Sequence, residues 1–505
     1  MTSEIESKRQ DIDVETSCVE DADRKPTTAY ALQPKDEKAF ARSGLERRLL
    51  WKQDLLILPL LALIYFVTFL DRNSFGNGRL LGLQKELRFS NADYSHAAQY
   101  FFIGYTICMF PGSIFMRWSP PQWLLGGACI AFGTILCGMS ASKNYGTVVA
   151  TRILIGCAQS FTQNSGVYNS FWYSRREVAT RGALIFSTAT LSGAFSGLIA
   201  YAIGKDLAHS DRSPWSWLFL IEGVIAIFVG VVVIILLPPF PDRMKNGKNW
   251  LFTKDEINLA LQRTSSWNTT GSKIHWPQVL DCLKDPKTYA FAMFNATSGL
   301  CLSSLGIFLP TFIHDFGFST LDAQLFSVIP YGCAFCCMLI VCYVSDRINW
   351  KGPFIMLGFT VNAIGYAMLL GVKSTAAKIV ACCFITSGMY PAVVLFLTWL
   401  TINTGGFTKR ATTWAIAEIF GQLFSIMGAN IYDDGPRYVK GHATAMSFSF
   451  LSVLIAAVLM VVFRRSNKKR DEILEDYARR GEVHPHMNRT LEEEKDFHIN
   501  FRYTL

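Results

Sequence analysis

Arg152, Gln159 and Gln163 follow one another at spacings of seven and four residues. At about 100° per residue this sets all three within about 20° of one line along a helix. A guanidinium with two amides on one face is a receptor for a carboxylate, which it grips with a bidentate fork. The same arginine could instead pair with a neighbouring helix and serve only structure, and both readings stand at this stage. Two acids, Glu222 beside Gly223 and Glu418, lie in apolar stretches where an ionised group is costly. Glu222, near the start of its segment, reads as the partner of a basic loop residue, whereas Glu418 is open. Asp71–Arg72 after Leu70 and Asp346–Arg347 after Ser345 are acid–base pairs at segment ends, where such pairs hold neighbouring helices in one state and act as gates. No enzyme is expected. The eight histidines are scattered, with His484 and His486 in a polar tail and His442 expected at a surface, and no phosphate-cradling Gly-x-x-x-x-Gly-Lys loop occurs. Cys336–Cys337 and Cys382–Cys383 read as small apolar packing residues, and no metal site or cofactor is expected.

The elements that must carry these residues are membrane spans. Charged residues are 17% of the 505, against roughly 25% in a typical soluble chain. Residues 1–50, 239–287 and 465–505 hold 51 of the 87 charges, and the other 365 positions hold 36. Such clearing suits lipid and excludes a soluble enzyme, a nucleic-acid binder and a disordered scaffold. A span needs about 20 mostly apolar residues. Runs of that kind fall near 54–70, 94–116, 123–141, 147–170, 182–204 and 216–237, then near 288–313, 324–344, 353–371, 377–400, 412–432 and 443–463. The fold class is therefore an all-α polytopic membrane protein of 12 transmembrane helices in two pseudo-symmetric six-helix bundles. A polar N-terminal tail (1–50) leads to the first bundle (51–238), a central loop (239–287), the second bundle (288–464) and a solvated C-terminal tail (465–505).

Basic residues flank the expected cytoplasmic ends, among them Arg47, Arg48 and Lys52, Arg175, Arg176 and Arg181, and the run from Arg464 to Arg470, which puts both termini in the cytoplasm and the basic stretches against anionic lipid. The Asn-x-Thr sequences at 268, 295 and 488 then fall where no glycosylation is expected.

Leu70-Asp71-Arg72-Asn73-Ser74-Phe75-Gly76-Asn77-Gly78-Arg79 resembles the stretch closing the first helix in one branch of the major facilitator superfamily (MFS fold), the fungal anion:cation symporters or allantoate permease family. Arg152-x-x-x-Gly156, Trp172-Tyr173-Ser174-Arg175-Arg176-Glu177, Phe219-Leu220-Ile221-Glu222-Gly223, Phe308-Leu309-Pro310, Ser345-Asp346-Arg347, Trp399, Asn403, Lys409-Arg410, Asp434-Gly435-Pro436-Arg437-Tyr438 and Phe501-Arg502-Tyr503 are similar to further family segments in the same order. The resemblance covers about residues 45–505. It implies a monomeric transporter working by alternating access, with proton-coupled uptake of a small organic anion, carboxylate-bearing and vitamin-like, across the plasma membrane. It also implies a central cavity lined by the first, fourth, seventh and tenth helices. Tyr65 and Phe69, Arg152, Gln159 and Gln163, Asn295 and Ser303, and Tyr390, Thr398 and Trp399 are then the substrate-binding candidates. Asp71, Arg72, Glu222, Asp346, Arg347, Asn403 and Glu418 are the gating or coupling candidates.

Two departures bear on coupling. The family's fourth helix usually reads R-x-x-x-G-x-x-E, and here the last position is Gln159; Cys108-Met109-Phe110-Pro111 stands where the family usually has a Glu before the Pro. An amide or a thioether cannot titrate. Coupling then rests on another acid, Asp71, Glu222 or Glu418, or transport is uncoupled. Export of a metabolite or drug is the alternative function. The absence of a Gly-Pro element in Gly193-Ala194-Phe195-Ser196-Gly197 favours uptake.

Overall fold

The computed structural model describes residues 44–244, 251–264, 276–432, 435, 437–482, 484, 485, 487 and 494–505. The tail up to residue 43, Asn268, Asp434, Pro436, His486 and Asn488 lie outside the described residues. Twelve long helices follow in order: α1 (Leu58–Leu80), α2 (Asn91–Trp118), α3 (Pro121–Met139), α4 (Tyr145–Thr162), α5 (Arg175–Asp206), α6 (Pro214–Leu236), α7 (Pro286–Asp315), α8 (Val328–Ile348), α9 (Gly352–Gly371), α10 (Thr375–Asn403), α11 (Phe407–Gly428) and α12 (Val439–Arg480). A helix over Gly44–Lys52 runs into α1 through a π-turn at Gln53–Ile57.

The helix starts are written in local chemistry. Ser90 and Asp93 form a reciprocal capping box ahead of α2, with N···O distances of 3.0 and 3.1 Å. The Asn144 side chain accepts from the Thr147 amide at 2.9 Å and opens α4. Pro121, Pro214 and Pro286 occupy first positions, where a missing N–H costs nothing.

Among the described residues nine helices are long and apolar enough to cross a membrane, and α2, α4 and α11 fall short of that measure. For α4 and α11 the deficit is the polar load they carry inward: Arg152 and Gln159 on one, Glu418 and Gln422 on the other.

The two bundles repeat one pairing plan. In the first, α1 packs on α5 and α6, α2 on α4, and α3 on α4 and α6; in the second, α7 packs on α11 and α12, α8 on α10, and α9 on α10 and α12. Between bundles, α5 meets α8, α2 meets α11 and α1 meets α7. The halves approach closely toward the ends away from the chain termini, where Tyr331 lies against Gly193 and donates to Asn73 Oδ1 at 3.3 Å. Within the first bundle, α2 and α4 touch backbone to backbone at Gly156, where a Cβ would sit 2.9 Å from the Tyr105 amide nitrogen. That contact presses the Arg152 turn onto Phe101 and α1.

The C-terminal tail differs from expectation. Residues 494–505 are folded under the second bundle, with Asp496, Phe501 and Tyr503 buried. Asp496 accepts from Lys409 at 2.5 Å and also pairs with Lys287, while Lys409 also pairs with Asp285. Tyr503 stacks on Phe463 with 4.5 Å between centroids. The buried Lys409 ammonium of α11 and the half-buried Lys287 of α7 need counter-charge, and Asp496 of the tail supplies it together with Asp285. The second bundle also overshoots residue 464, since α12 continues to Arg480. The central loop carries helices over Lys254–Thr264 and Trp276–Lys284. The first is tied to the 44–52 helix by Lys52–Glu256 at 2.8 Å and Arg263–Glu46 at 3.0 Å.

Candidate functional site

A cavity of about 100 Å³ lies between the bundles. Its walls come from α1, α2, α4 and α5 on one side and α7, α10 and α11 on the other. Six of the residues expected to touch substrate line this space: Phe69, Arg152, Gln163, Asn295, Ser303 and Tyr390. Arg72 and Glu418, expected to gate or couple, line it too.

The charges are arranged in a way their spacing does not reveal. Arg152 is 3% exposed and is committed to Asp71, with Nη1 3.1 Å from Oδ1 and 3.3 Å from Oδ2. Gln159 Nε2 donates to the same carboxylate at 2.9 Å. Asp71 is thus held by three donor contacts, and Arg152 is neutralised where it enters the cavity wall. Of the two readings of Arg152, the contacts carry the pairing with a neighbouring helix, because α1 brings an aspartate to meet it. Asp71 likewise pairs with Arg152 and not with its sequence neighbour Arg72.

Arg72 is the cation left facing the cavity. Its carbon Cζ stands 4.9 Å from the Phe69 and Tyr105 ring centroids and 5.2 Å from that of Phe101, so three rings hold the guanidinium by its faces. Nε reaches Gln159 Oε1 at 3.4 Å, and Nη2 is buried with no hydrogen-bond partner among the described residues. A buried donor of this kind calls for an acceptor. The position that resembling sequences fill with Glu is central here. Gln159 gives its N–H to Asp71 and its oxygen to Arg72, so one carboxylate faces two guanidiniums and the cluster carries a net positive charge.

Across the cavity, α11 presents Glu418, Gly421, Gln422 and Ser425, and α7 presents Asn295, Ser298 and Ser303. Gln422 Nε2 lies 3.4 Å from Glu418 Oε2. A Cβ at Gly421 would fall 2.6 Å from Asn295 Nδ2, so glycine there lets α7 and α11 bring these groups together.

Several expected residues sit elsewhere. Trp399 packs on Phe291 and Phe463 and donates Nε1 to the Thr504 carbonyl at 2.7 Å, anchoring the tail and not the cavity. Asn403 bonds the same carbonyl at 3.1 Å and so holds the tail as well. Thr398 is half-buried on the same stretch of α10, outside the lining. Tyr65 lies behind the wall, stacked on Phe69 at 6.1 Å. Glu222 was expected to pair with a basic loop residue; instead it is buried between α6 and α1, where it accepts from Ser74. Asp346 pairs with Lys351 and accepts from Thr180 of α5 at 2.9 Å, while Arg347 turns to Tyr343 at 3.1 Å. His442 is buried, with Nδ1 3.3 Å from the Tyr432 hydroxyl.

Asn73, Phe101, Tyr105, Phe186, Gln422 and Ser425 were not singled out in the sequence. The α11 set was legible in principle, because Glu418, Gly421, Gln422 and Ser425 recur at three and four residues. The aromatic set was not, since phenylalanine is abundant on every face.

A model of the Major Facilitator Superfamily matches residues 61–429. The chain is 30% identical over 461 residues to the high-affinity nicotinic acid transporter of Saccharomyces cerevisiae, covering 90% of this chain and 84% of that protein. It is 31% identical over 449 residues to the MFS-type transporter cnsO of Penicillium expansum, covering 86% of each. In fold it is similar to the proton:xylose symporter XylE from a solved structure bound to 6-bromo-6-deoxy-D-glucose, with a TM-score of 0.63, 14% identity, and 80% of this chain and 94% of that one covered.

Proposed function

The chain belongs to the Major Facilitator Superfamily, and from that premise we propose that this multi-pass secondary transporter carries a small organic anion whose carboxylate docks on Arg72. One observation carries the reading: with Arg152 consumed by Asp71, Arg72 faces the cavity with Nη2 buried and unpartnered among the described residues. A guanidinium whose faces are covered by Phe69, Phe101 and Tyr105 can offer only its edge, and the edge is the part that forks onto a carboxylate. The rings beside it suit a flat substrate. The substrate named for the yeast relative, nicotinic acid, is a flat carboxylate of this kind. The proposed direction is uptake across the plasma membrane, by a monomer with both termini in the cytoplasm. The absence of a Gly-Pro element in α5 supports that direction.

The test is an uptake panel in cells expressing the chain, using radiolabelled nicotinate and other small carboxylates beside their neutral amides. Carboxylates should accumulate and amides should not. Arg72→Ala removes a charged hydrogen-bond partner worth about 1.5–3 kcal/mol, so uptake at limiting substrate should fall about 10–100-fold. Undiminished uptake by Arg72→Ala, or equal transport of the amides, would sink the anion reading.

A further inference from the structure

We infer that Glu418 is the proton-carrying residue of this transporter, and that the transported anion loads it by cancelling the charge of Arg72 in the cavity that both residues line. The inference rests on the organic-anion reading above.

Three acids lie within the spans near the site, and their surroundings separate them. Asp71 is clasped by Arg152 and Gln159 and lies outside the cavity lining. Glu222 is 2% exposed, with Oε1 taken by Ser74 and Oε2 without a partner among the described residues. It lies outside the cavity lining, in a seam closed by the Phe219 ring against Gly78, where a Cβ would be 2.9 Å from that ring. A proton held there has no path through the substrate space. Glu418 alone among the three both lines the cavity and faces a cation that the substrate would also claim.

The neighbours of Glu418 define its charge balance. From α1 come Arg72 and the Tyr65 phenol, from α2 the Tyr105 phenol, and from α7 the Asn295 amide. Gln422 adds an amide from α11 itself, and Tyr390 of α10 lies elsewhere on the same wall. The Trp276–Lys284 helix meets α11 through Cys282 at Lys409 and Thr413, more than a turn before Glu418. Of the two arginines that line this cavity with Glu418, Arg152 is paired to Asp71, which leaves Arg72 as the cation whose charge is not cancelled by a bonded acid. Once a substrate carboxylate occupies Arg72, Glu418 is a buried anion without a counter-charge, and it takes a proton from the water of the cavity. One anion and one proton then cross together with no net charge. On release the charge of Arg72 is uncovered again and the proton leaves to water. Because binding is reciprocal, each ligand tightens the other. Apparent anion affinity should weaken by up to about tenfold per pH unit on the alkaline side.

The test uses the full-length chain in liposomes, with radiolabelled nicotinate as the first probe and the other carboxylates of the panel in turn. Three readings are taken: accumulation driven by a pH gradient, exchange of labelled for unlabelled anion without a gradient, and binding across pH. The wild type should accumulate the anion from the acidic side. Glu418→Gln should lose accumulation, its inside-to-outside ratio falling to about one, while exchange continues and binding no longer varies with pH. Glu418→Asp should keep accumulation with a displaced pH profile, which distinguishes lost coupling from a misfolded protein. Gradient-driven accumulation by Glu418→Gln at the wild-type level overturns the inference. So does loss of pH dependence in Glu222→Gln while Glu418→Gln retains it. A wild type that carries carboxylates with no response to pH also overturns it and leaves the anion reading standing. A wild type that carries no carboxylate removes both.

Discussion

Gln159→Glu tests the charge arrangement at its centre. Gln159 now donates to Asp71 at 2.9 Å and accepts from Arg72 at 3.4 Å. A carboxylate at 159 keeps the second contact, loses the first, and places two negative charges about 3 Å apart. At an effective dielectric of about 20 the repulsion at the 2.9 Å contact is on the order of 6 kcal/mol. Attraction to Arg72 over 3.4 Å returns on the order of 5 kcal/mol. Neither term dominates, so the variant relaxes by binding a proton or by drawing Arg72 wholly onto the new carboxylate. Protonated, position 159 resembles the native amide and the anion binds as before. Ionised, it consumes the Arg72 edge, and the anion loses a charge-assisted contact of about 1.5–3 kcal/mol, or about 10–100-fold in affinity. Binding of radiolabelled nicotinate to purified protein should match the wild type around pH 5 and fall about 10–100-fold below it around pH 8, compared at equal pH. Equal affinity of variant and wild type at both pH values would refute the proposed role of Arg72 and the positive balance of the cluster.

Other consequences follow from the same structure. Arg152→Ala strands Asp71, which is 1% exposed, and should cost about 3–5 kcal/mol of stability, whereas Asp71→Asn combined with Arg152→Gln should recover most of it; denaturant unfolding followed by tryptophan fluorescence measures both, and a double variant no more stable than the single refutes the pairing. Gly156→Ala would force α2 and α4 apart and should cost about 1–3 kcal/mol, while Gly127→Ala, which points into open space, should be silent in the same assay. Burial pushes the Asp496 carboxyl up, but the ammoniums of Lys287 and Lys409 outweigh it and hold it below the ordinary carboxylate value. A lowered folded value means that the stabilisation is present above the ordinary value of about 4 and is lost as the pH falls through the lowered one. Limited proteolysis should therefore find the tail protected at neutral pH and released only below about pH 4; equal cleavage at both would contradict the clasp.

The residues explain which features could be read early. Capping signals at Ser90 and Asn144, prolines at helix starts and twelve apolar runs are local, and the structure follows them. The C-terminal tail misled because its composition resembles that of a solvated segment. Only the meeting of Asp496 with Lys287 and Lys409, 209 and 87 residues away, shows what it neutralises. Trp399 and Asn403 were misplaced for the same reason, since their partner Thr504 is over 100 positions distant.

Sequence by itself determined that this chain lies in lipid as two six-helix bundles, because clearing charge from 365 positions is a compositional fact that needs no partner to interpret. It also determined that arginines and acids sit inside those bundles at a cost that function or pairing must justify. Tertiary structure alone decided which arginine meets Asp71 and which does not. Charge is a property of a side chain, but its availability belongs to a pair, and Asp71 stands 81 residues from the Arg152 it neutralises. Once α1 and α4 are packed together, the cation left facing the cavity is Arg72, and the acid it faces is Glu418.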